Sequence, residues 1–144
     1  MRISVVIPAW REAGAIEGAV RSALAIGDEV IVADANSPDE TAATAERAGA
    51  RVILAPRGRG PQLDEGARAS TGDVLLFLHA DARLPPAARE AIWRALSSPA
   101  IVGGNFLLRF EPSTRAARVF SWANDVRRRR LGIYYGDSAV FMRR

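Results

Sequence analysis

The chain has 144 residues, 49% of them hydrophobic and 25% charged, with a formal net charge of +4. This profile predicts one soluble globular domain and suits an anionic ligand such as a diphosphate, whereas no aromatic–basic interleaving supports nucleic acid binding. Cysteine is absent, which excludes disulfides, zinc–thiolate sites and thiol nucleophiles, and lysine is absent, which excludes a Walker-type phosphate loop.

Strand and helix patterns alternate along the chain. In chain order they predict strand 3–7, helix 15–26, strand 29–33, helix 38–48, strand 51–55, helix 62–70, strand 73–78, helix 86–96, strand 105–110, helix 114–130 and strand 139–142. Such repeated β-α-β units predict an α/β fold, with a mostly parallel central sheet, right-handed crossovers and helices on both faces. No stretch reaches the roughly 18 apolar residues of a membrane span, and no signal peptide is visible, so we expect a cytoplasmic protein.

Local signals set the boundaries of these elements. Pro8 is predicted to stop the first strand, and 37–40 is predicted to be a capping box with Pro38 at the first helical position. The segment 56–61 is predicted to be a loop. The residues expected to face the core or to pack include Leu24, Trp93, Ala116, Val119, Phe120, Trp122 and Ala123.

Polar or turn residues follow three of the predicted strands, at 8–12, 34–37 and 79–81. Ligands collect at the carboxyl ends of the strands in open α/β sheets, so these segments are expected to meet at a binding site. For Asp34 and Asp81 the alternative is that each carboxylate only caps a nearby turn or helix. His79 is expected to be packed or hydrogen-bonded at its strand end rather than to bind metal.

Several of these segments resemble family 2 glycosyltransferases, in the same order along the chain. The similarity covers Ile3–Glu12, Glu29–Thr41, Gly66, Thr71–Asp73, His79–Asp81 and Tyr135–Arg144, which is nearly the whole chain. His79–Asp81 is similar to the aspartate-x-aspartate metal motif of these enzymes, with histidine in place of the first aspartate. Asp64 stands where relatives often have asparagine.

The resemblance implies an A-type glycosyltransferase fold, which binds a nucleoside diphosphate sugar carried on UDP, GDP or dTDP, with UDP favoured. The acceptor is unknown. The implied substrate-binding residues are Pro8, Trp10, Glu12, Asp34, Arg57, Arg59, Ala80 and Asp81. Among these, Asp34 would bind the nucleobase, a loop arginine would reach base or phosphate, and Asp81 would hold Mg²⁺ or Mn²⁺ against the diphosphate.

The same resemblance raises expectations about the end of the chain. Relatives continue beyond the final Arg-Arg pair into an acidic motif that carries the catalytic base, so residues 1–144 are expected to form a single domain that lacks the usual C-terminal part. Asp137 is then the candidate base, and we expect the chain alone to transfer sugar poorly. The alternative is a non-catalytic nucleotide-binding or interaction domain.

Two further expectations concern surfaces. We expect self-association into a homo-oligomer through 114–144, where helix-packing surface would be exposed. The arginine run 127–130 is either a solvated helix end or a peripheral contact with an acidic membrane surface.

Overall fold

The computed structural model describes residues 1–107, 109, 114–131 and 139–144. Its strands are β1 (Ile3–Ala9), β2 (Glu29–Asp34), β3 (Arg51–Leu54), β4 (Val74–Phe77), β5 (Gly103–Asn105) and β6 (Val140–Arg143). Its helices are α1 (Ile16–Leu24), α2 (Thr41–Arg47), α3 (Arg59–Ala69), α4 (Ala88–Ala95) and α5 (Arg115–Leu131).

The strands form one sheet in the order β3-β2-β1-β4-β6-β5. The first four of these are parallel, and β6 runs antiparallel to both β4 and β5. The prediction of an α/β fold with a mostly parallel sheet is therefore confirmed. Because β1, β2 and β4 run in the same direction, the segments that follow them emerge at one edge of the sheet.

The strand β1 lies in the middle of the sheet and is buried on both faces. Its residues Ile3, Val5 and Ile7 belong to the main core cluster, to which α1, α2 and α4 also contribute. On the opposite face Val6 lies against Gly66 of α3. This two-sided burial explains why the β1 sequence is a continuous apolar run, as expected for a central parallel strand.

Two local predictions near the start of the chain are wrong. Pro8 does not stop β1, because it pairs with Ala33 in the parallel ladder. The segment 37–40 is not a capping box: α2 begins at Thr41 and its N-cap residue makes no side-chain hydrogen bond to the helix. The Ser37 hydroxyl is instead bonded, at 2.6 Å, to the Asp34 carboxylate three residues earlier, while the Thr41 N–H donates to Asp39 Oδ1 at 3.2 Å.

Several element boundaries also differ from the prediction, the largest differences being at α3 and β5. The helix α3 begins at Arg59 rather than at Gln62, so Arg59 is the first helical residue and not a loop residue. Among the described residues the strand β5 covers Gly103–Asn105, and 106, 107 and 109 of the predicted strand 105–110 are not in a strand, while 108 and 110 lie outside the described residues. The two glycines of β5 approach Phe141 of β6 more closely than larger residues could.

Several residues expected to pack are exposed instead. Trp122 and Val119 on α5 are 67% and 63% exposed, and Ala116 and Ala123 are exposed too, while the Phe120 side chain lies outside the described part. Leu24 and Trp93 are also exposed, the Trp93 ring lying 4.8 Å from the Arg89 guanidinium. None of the described helices has both the length and the apolar character of a bilayer-spanning helix.

The close contact between α3 and β1 predicts opposite effects for two glycines of the same helix. A Cβ atom at Gly66 would lie 2.2 Å from Val6 Cγ1, inside the buried sheet interface, whereas a Cβ at Gly60 would meet nothing within 4 Å. We expect Gly66→Ala to lower the free energy of unfolding by about 1–3 kcal/mol through overpacking.

The matched control, Gly60→Ala, should raise the free energy of unfolding by about 0.5–1 kcal/mol, because alanine loses less backbone entropy in a helix. Urea denaturation of the two variants and the parent chain measures both values. Equal effects of the two substitutions would contradict the packing described for α3.

A second prediction concerns acid stability at the opposite edge of the sheet. Hydrogen bonds from Arg89 and from the Ile3 backbone N–H lower the pKa of Asp28 below its ordinary value of 3.8. A carboxylate whose folded-state pKa is lowered adds stability above its unfolded-state pKa, and this stability is lost as the pH falls through the folded-state pKa.

We therefore expect Asp28→Asn to cost about 1–2 kcal/mol at pH 7, because a partly exposed charged hydrogen bond is lost. The difference from the parent chain should shrink as the pH falls below 3.8. Glu90→Gln is the control, since its ion pair with Arg94 is exposed and should contribute less than about 0.5 kcal/mol. Urea denaturation at pH 7 and pH 3 measures the free energy of unfolding of each variant. If Asp28→Asn differs from the parent chain by the same amount at both pH values, the role given to the Asp28 carboxylate is refuted.

Candidate functional site

The carboxyl edge of the parallel strands brings together the three polar segments identified in the sequence. Trp10 and Glu12 follow β1, Asp34 ends β2, and His79 and Asp81 follow β4. The register aligns Ala9 of β1 with Asp34 of β2, so the first two segments leave the sheet at the same level. We call this cluster the carboxyl-edge site; it includes Arg57 and Arg59, which precede and begin α3.

Asp34 is held in place by its own turn. The side chain is buried, with 4% of the residue exposed, and its carboxylate accepts hydrogen bonds from the Ser37 backbone N–H at 2.8 Å and from the Ser37 hydroxyl at 2.6 Å. The Ser37 hydroxyl in turn accepts a bond from the Arg11 backbone N–H. Arg11 and Asn36 both have positive φ, near 57° and 59°, in the left-handed region that residues other than glycine rarely adopt. These contacts join the loops after β1 and β2.

Two arginine guanidinium groups lie over the Trp10 ring. The Arg57 guanidinium lies 4.2 Å from the ring centroid and that of Arg11 lies 5.3 Å from it. Both distances are within the range of a cation–π interaction. Arg57 therefore contacts the loop after β1, although it belongs to the exposed bend before α3, which keeps the alternative of a solvated turn open.

Arg59 and His79 are in hydrogen-bond contact through the guanidinium and the ring Nε2. The other ring nitrogen, Nδ1, lies 4.0 Å from an oxygen of Asp81, whose side chain is 74% exposed. The expectation that His79 is hydrogen-bonded at its strand end agrees with this contact. The alternative that Asp81 caps a turn has no support among the described hydrogen bonds.

Glu12 and Asp81 place two carboxylates in the same part of the site. Burial raises the pKa of the Glu12 carboxyl, and the neighbouring negative charges of Asp81 and Asp39 raise it further, while His79 acts in the opposite direction. The loop itself is fixed because the Glu12 backbone N–H donates to the Thr41 hydroxyl at 2.8 Å. The negative charge of the exposed Asp81 therefore adds to the burial that disfavours ionisation of Glu12, and a bound cation would relieve this repulsion.

The oxygen donors present here fit a hard divalent cation of the Mg²⁺ or Mn²⁺ type. Such ions prefer carboxylate, phosphate and water oxygens, and they need few protein ligands when a diphosphate supplies the others. Within the described ranges, no group of three histidine or acidic side chains could hold a metal ion without such help. The arrangement therefore suits a cation that arrives with a phosphate ligand.

Three other predicted site residues have different surroundings. Pro8 is half-buried at the end of β1, in the ladder with β2. Ala80 is 4% exposed and belongs to the core cluster, so its methyl group is a packing group. Asp137 lies outside the described residues.

Gln62 was not predicted to take part in the site. It is 5% exposed, and its amide Nε2 donates to the backbone oxygens of Ala9 and Ala33, both at 2.8 Å. The available sequence signal was its spacing from Gly66, because the two are the buried residues of α3 and lie four positions apart on one helical face. A polar residue at such a position needs a buried partner.

Comparison with known proteins identifies the family. The profile described as "Glycosyl transferase family 2" matches residues 4–142. This chain belongs to glycosyl transferase family 2. The family 2 chain is 36% identical, over 80 residues, to an uncharacterized glycosyltransferase of Mycobacterium tuberculosis, a match that covers 55% of this chain and 36% of that relative.

Two solved structures of glucosyl-3-phosphoglycerate synthase from Mycobacterium tuberculosis share the fold. The complex with Mg²⁺ and uridine diphosphate (UDP) superposes with a TM-score of 0.71 at 26% identity, covering 99% of this family 2 chain and 56% of that chain. The complex with Mn²⁺, UDP and phosphoglyceric acid has a TM-score of 0.65 at 25% identity and covers 99% and 55%. These matches confirm the A-type fold, and the family 2 chain spans little more than half the length of the solved relatives.

Proposed function

We propose that residues 1–144 form a nucleotide-sugar-binding domain, which holds a UDP-sugar at the carboxyl-edge site for transfer of the sugar to an acceptor. The observation that carries this proposal is the convergence of an acidic pair, Glu12 and Asp81, with the arginines at 57 and 59 on one sheet edge. The solved relatives that bind UDP together with Mg²⁺ or Mn²⁺ support the choice of nucleotide.

Within this proposal each group has one task. Asp34 accepts a hydrogen bond from the nucleobase, and Trp10 with Pro8 lines the nucleoside pocket. Arg57 and Arg59 offer positive charge to the base or the diphosphate. The Glu12 loop and the Ala80 backbone border the same space.

Asp81, beside Glu12, would hold Mg²⁺ or Mn²⁺ in this proposal. When bound, the cation neutralises negative charge that develops on the departing diphosphate. The exposed Asp81 carboxylate is suited to this task, since its oxygens make none of the described hydrogen bonds.

Transfer also needs a base that removes the proton from the acceptor hydroxyl. Asp137 remains our candidate, two residues before Ala139. The support is that β6 starts at Val140, which pairs with Phe77 at the carboxyl end of β4. The chain therefore enters β6 from the same edge as the site. Turnover of a UDP-sugar panel by the purified chain tests the activity, and UDP binding without turnover would favour the non-catalytic alternative.

The cation role predicts metal-dependent UDP binding. We expect Mg²⁺ or Mn²⁺ to tighten UDP binding by about tenfold or more, and Asp81→Asn to remove that enhancement, because the carboxylate that faces the diphosphate is lost. Stability should hardly change, since the Asp81 side chain is 74% exposed. Isothermal titration calorimetry with UDP, with and without metal, measures the effect.

Asp64→Asn serves as the control for charge. Asp64 is an exposed carboxylate of α3 that pairs with Arg68, so its loss should leave the metal effect intact. Equal affinity of the parent chain with and without metal would refute the cation role.

The nucleobase role predicts a separate effect at Asp34. Asp34→Asn should weaken UDP binding by about 1–3 kcal/mol, because an ionised acceptor is replaced by an amide. The two hydrogen bonds with Ser37 mean that this variant also loses some stability.

Ser37→Ala separates the two contributions. It removes the hydroxyl that supports Asp34 but keeps the carboxylate, so we expect a comparable loss of melting temperature with a smaller loss of UDP affinity. If Asp34→Asn lowers the melting temperature while UDP affinity is unchanged, Asp34 is a structural residue only.

A further inference from the structure

The amide of Gln62 is a polar group buried beneath the carboxyl-edge site. Burying an amide costs free energy unless its hydrogen bonds are made, and here both donors are used, on Ala9 O and Ala33 O at 2.8 Å each. Because the two acceptors are carbonyl oxygens, the orientation of the amide follows from the contacts themselves. One side chain of α3 therefore joins the ends of two neighbouring strands.

The two carbonyls belong to the residues that precede the nucleoside-binding candidates. Ala9 comes directly before Trp10, and Ala33 comes directly before Asp34. Gln62 itself stands three residues after Arg59, in the first turns of α3. A single amide thus connects the backbone segments that carry the aromatic, the acidic and one of the basic groups of the site.

Packing alone does not require an amide at this position. An apolar side chain of similar length, such as methionine, would fill the same space between α3 and the sheet without joining the strands. The ladder already pairs the ends of β1 and β2, and the Ala9 oxygen also accepts from the Ala35 N–H at 3.1 Å. The amide adds two directional hydrogen bonds that tie both strand ends to α3. Binding groups need such support, since small displacements of their scaffold reduce affinity.

We propose that Gln62 is a positioning residue for the nucleotide, which holds Trp10 and Asp34 at the spacing that one nucleoside requires. This inference rests on the proposed function, since it concerns the same ligand. It assigns to Gln62 an effect on UDP affinity that exceeds its effect on stability.

The test compares Gln62→Met with Ser4→Ala. Ser4 is fully buried at the other end of β1, and its hydroxyl also makes two hydrogen bonds, one to Glu29 at 3.1 Å and one from the Gly72 N–H at 2.8 Å. Both variants should melt at lower temperature than the parent chain. Measured with Mg²⁺ well below the melting temperatures, the Kd for UDP should rise about tenfold or more in Gln62→Met and less than about twofold in Ser4→Ala.

A double-mutant cycle gives a readout that a merely structural role would not change. If Gln62 acts through Asp34, the fold-change in Kd caused by Asp34→Asn should be much smaller in the Gln62→Met background than in the parent chain. Independent, multiplicative effects on Kd would contradict the inference.

Gln62→Glu is the second variant, in case the methionine variant does not fold. A protonated carboxyl can donate one hydrogen bond to Ala9 O or Ala33 O, whereas the ionised form donates none. The ratio of the Kd of Gln62→Glu to the Kd of the parent chain, both measured at the same pH, should therefore be closer to one at pH 5 than at pH 8. A pH-independent ratio would overturn the positioning role.

The outcomes distinguish the two proposals. A parent chain that binds no UDP would overturn the proposed function and this inference with it. A parent chain that binds UDP, with Gln62→Met no weaker in binding than Ser4→Ala, would overturn this inference alone.

Discussion

The parallel pairing of β1 with β2 on one side and β4 on the other is the constraint on which the site depends. Parallel neighbours can be joined only by crossovers that pass over a face of the sheet, so the helices cover the faces and the strand ends stay open. The loops that follow all three strands therefore begin at the same edge of the sheet. Segments that are far apart in sequence, 8–12, 34–37 and 79–81, become neighbours for this reason.

The site is held by contacts that join these segments to one another. The Arg11 N–H reaches the Ser37 hydroxyl, and the Glu12 N–H reaches the Thr41 hydroxyl, so the loop after β1 is tied twice to the region after β2. The positive φ of Arg11 is a cost that such tertiary bonds offset. The Gln62 amide also connects α3 to the ends of β1 and β2. The loops after these two strands are therefore joined to each other by hydrogen bonds, and the strand ends that carry them are joined to α3.

Charged side chains of both signs lie at this edge of the sheet. The arginines at 11 and 57 lie on the Trp10 ring, and Arg59 contacts His79, while the carboxylate of Asp81 is close enough to Glu12 for its charge to help raise the Glu12 pKa. In a ligand that combines phosphate with a cation, the phosphate would be attracted to the arginines and the cation to the carboxylates. Many proteins share this fold, so it is this pair of charge groups that connects the fold to the nucleotide-sugar function proposed for this family 2 chain.

The sequence by itself determined the order of the elements, the parallel sheet and the strand ends that carry Trp10, Asp34 and Asp81, because apolar periodicity and strand endings are local properties of the chain. It also contained enough family-specific motifs to identify glycosyl transferase family 2. Asp137 lies outside the described residues, so its role stays a prediction. Only the tertiary structure decided that Pro8 stays in the ladder, that the Ser37 hydroxyl accepts a bond from the distant Arg11 N–H, and that α3 starts at Arg59. The same holds for Gln62, whose two carbonyl partners lie 53 and 29 positions away in sequence, beyond the reach of any local pattern.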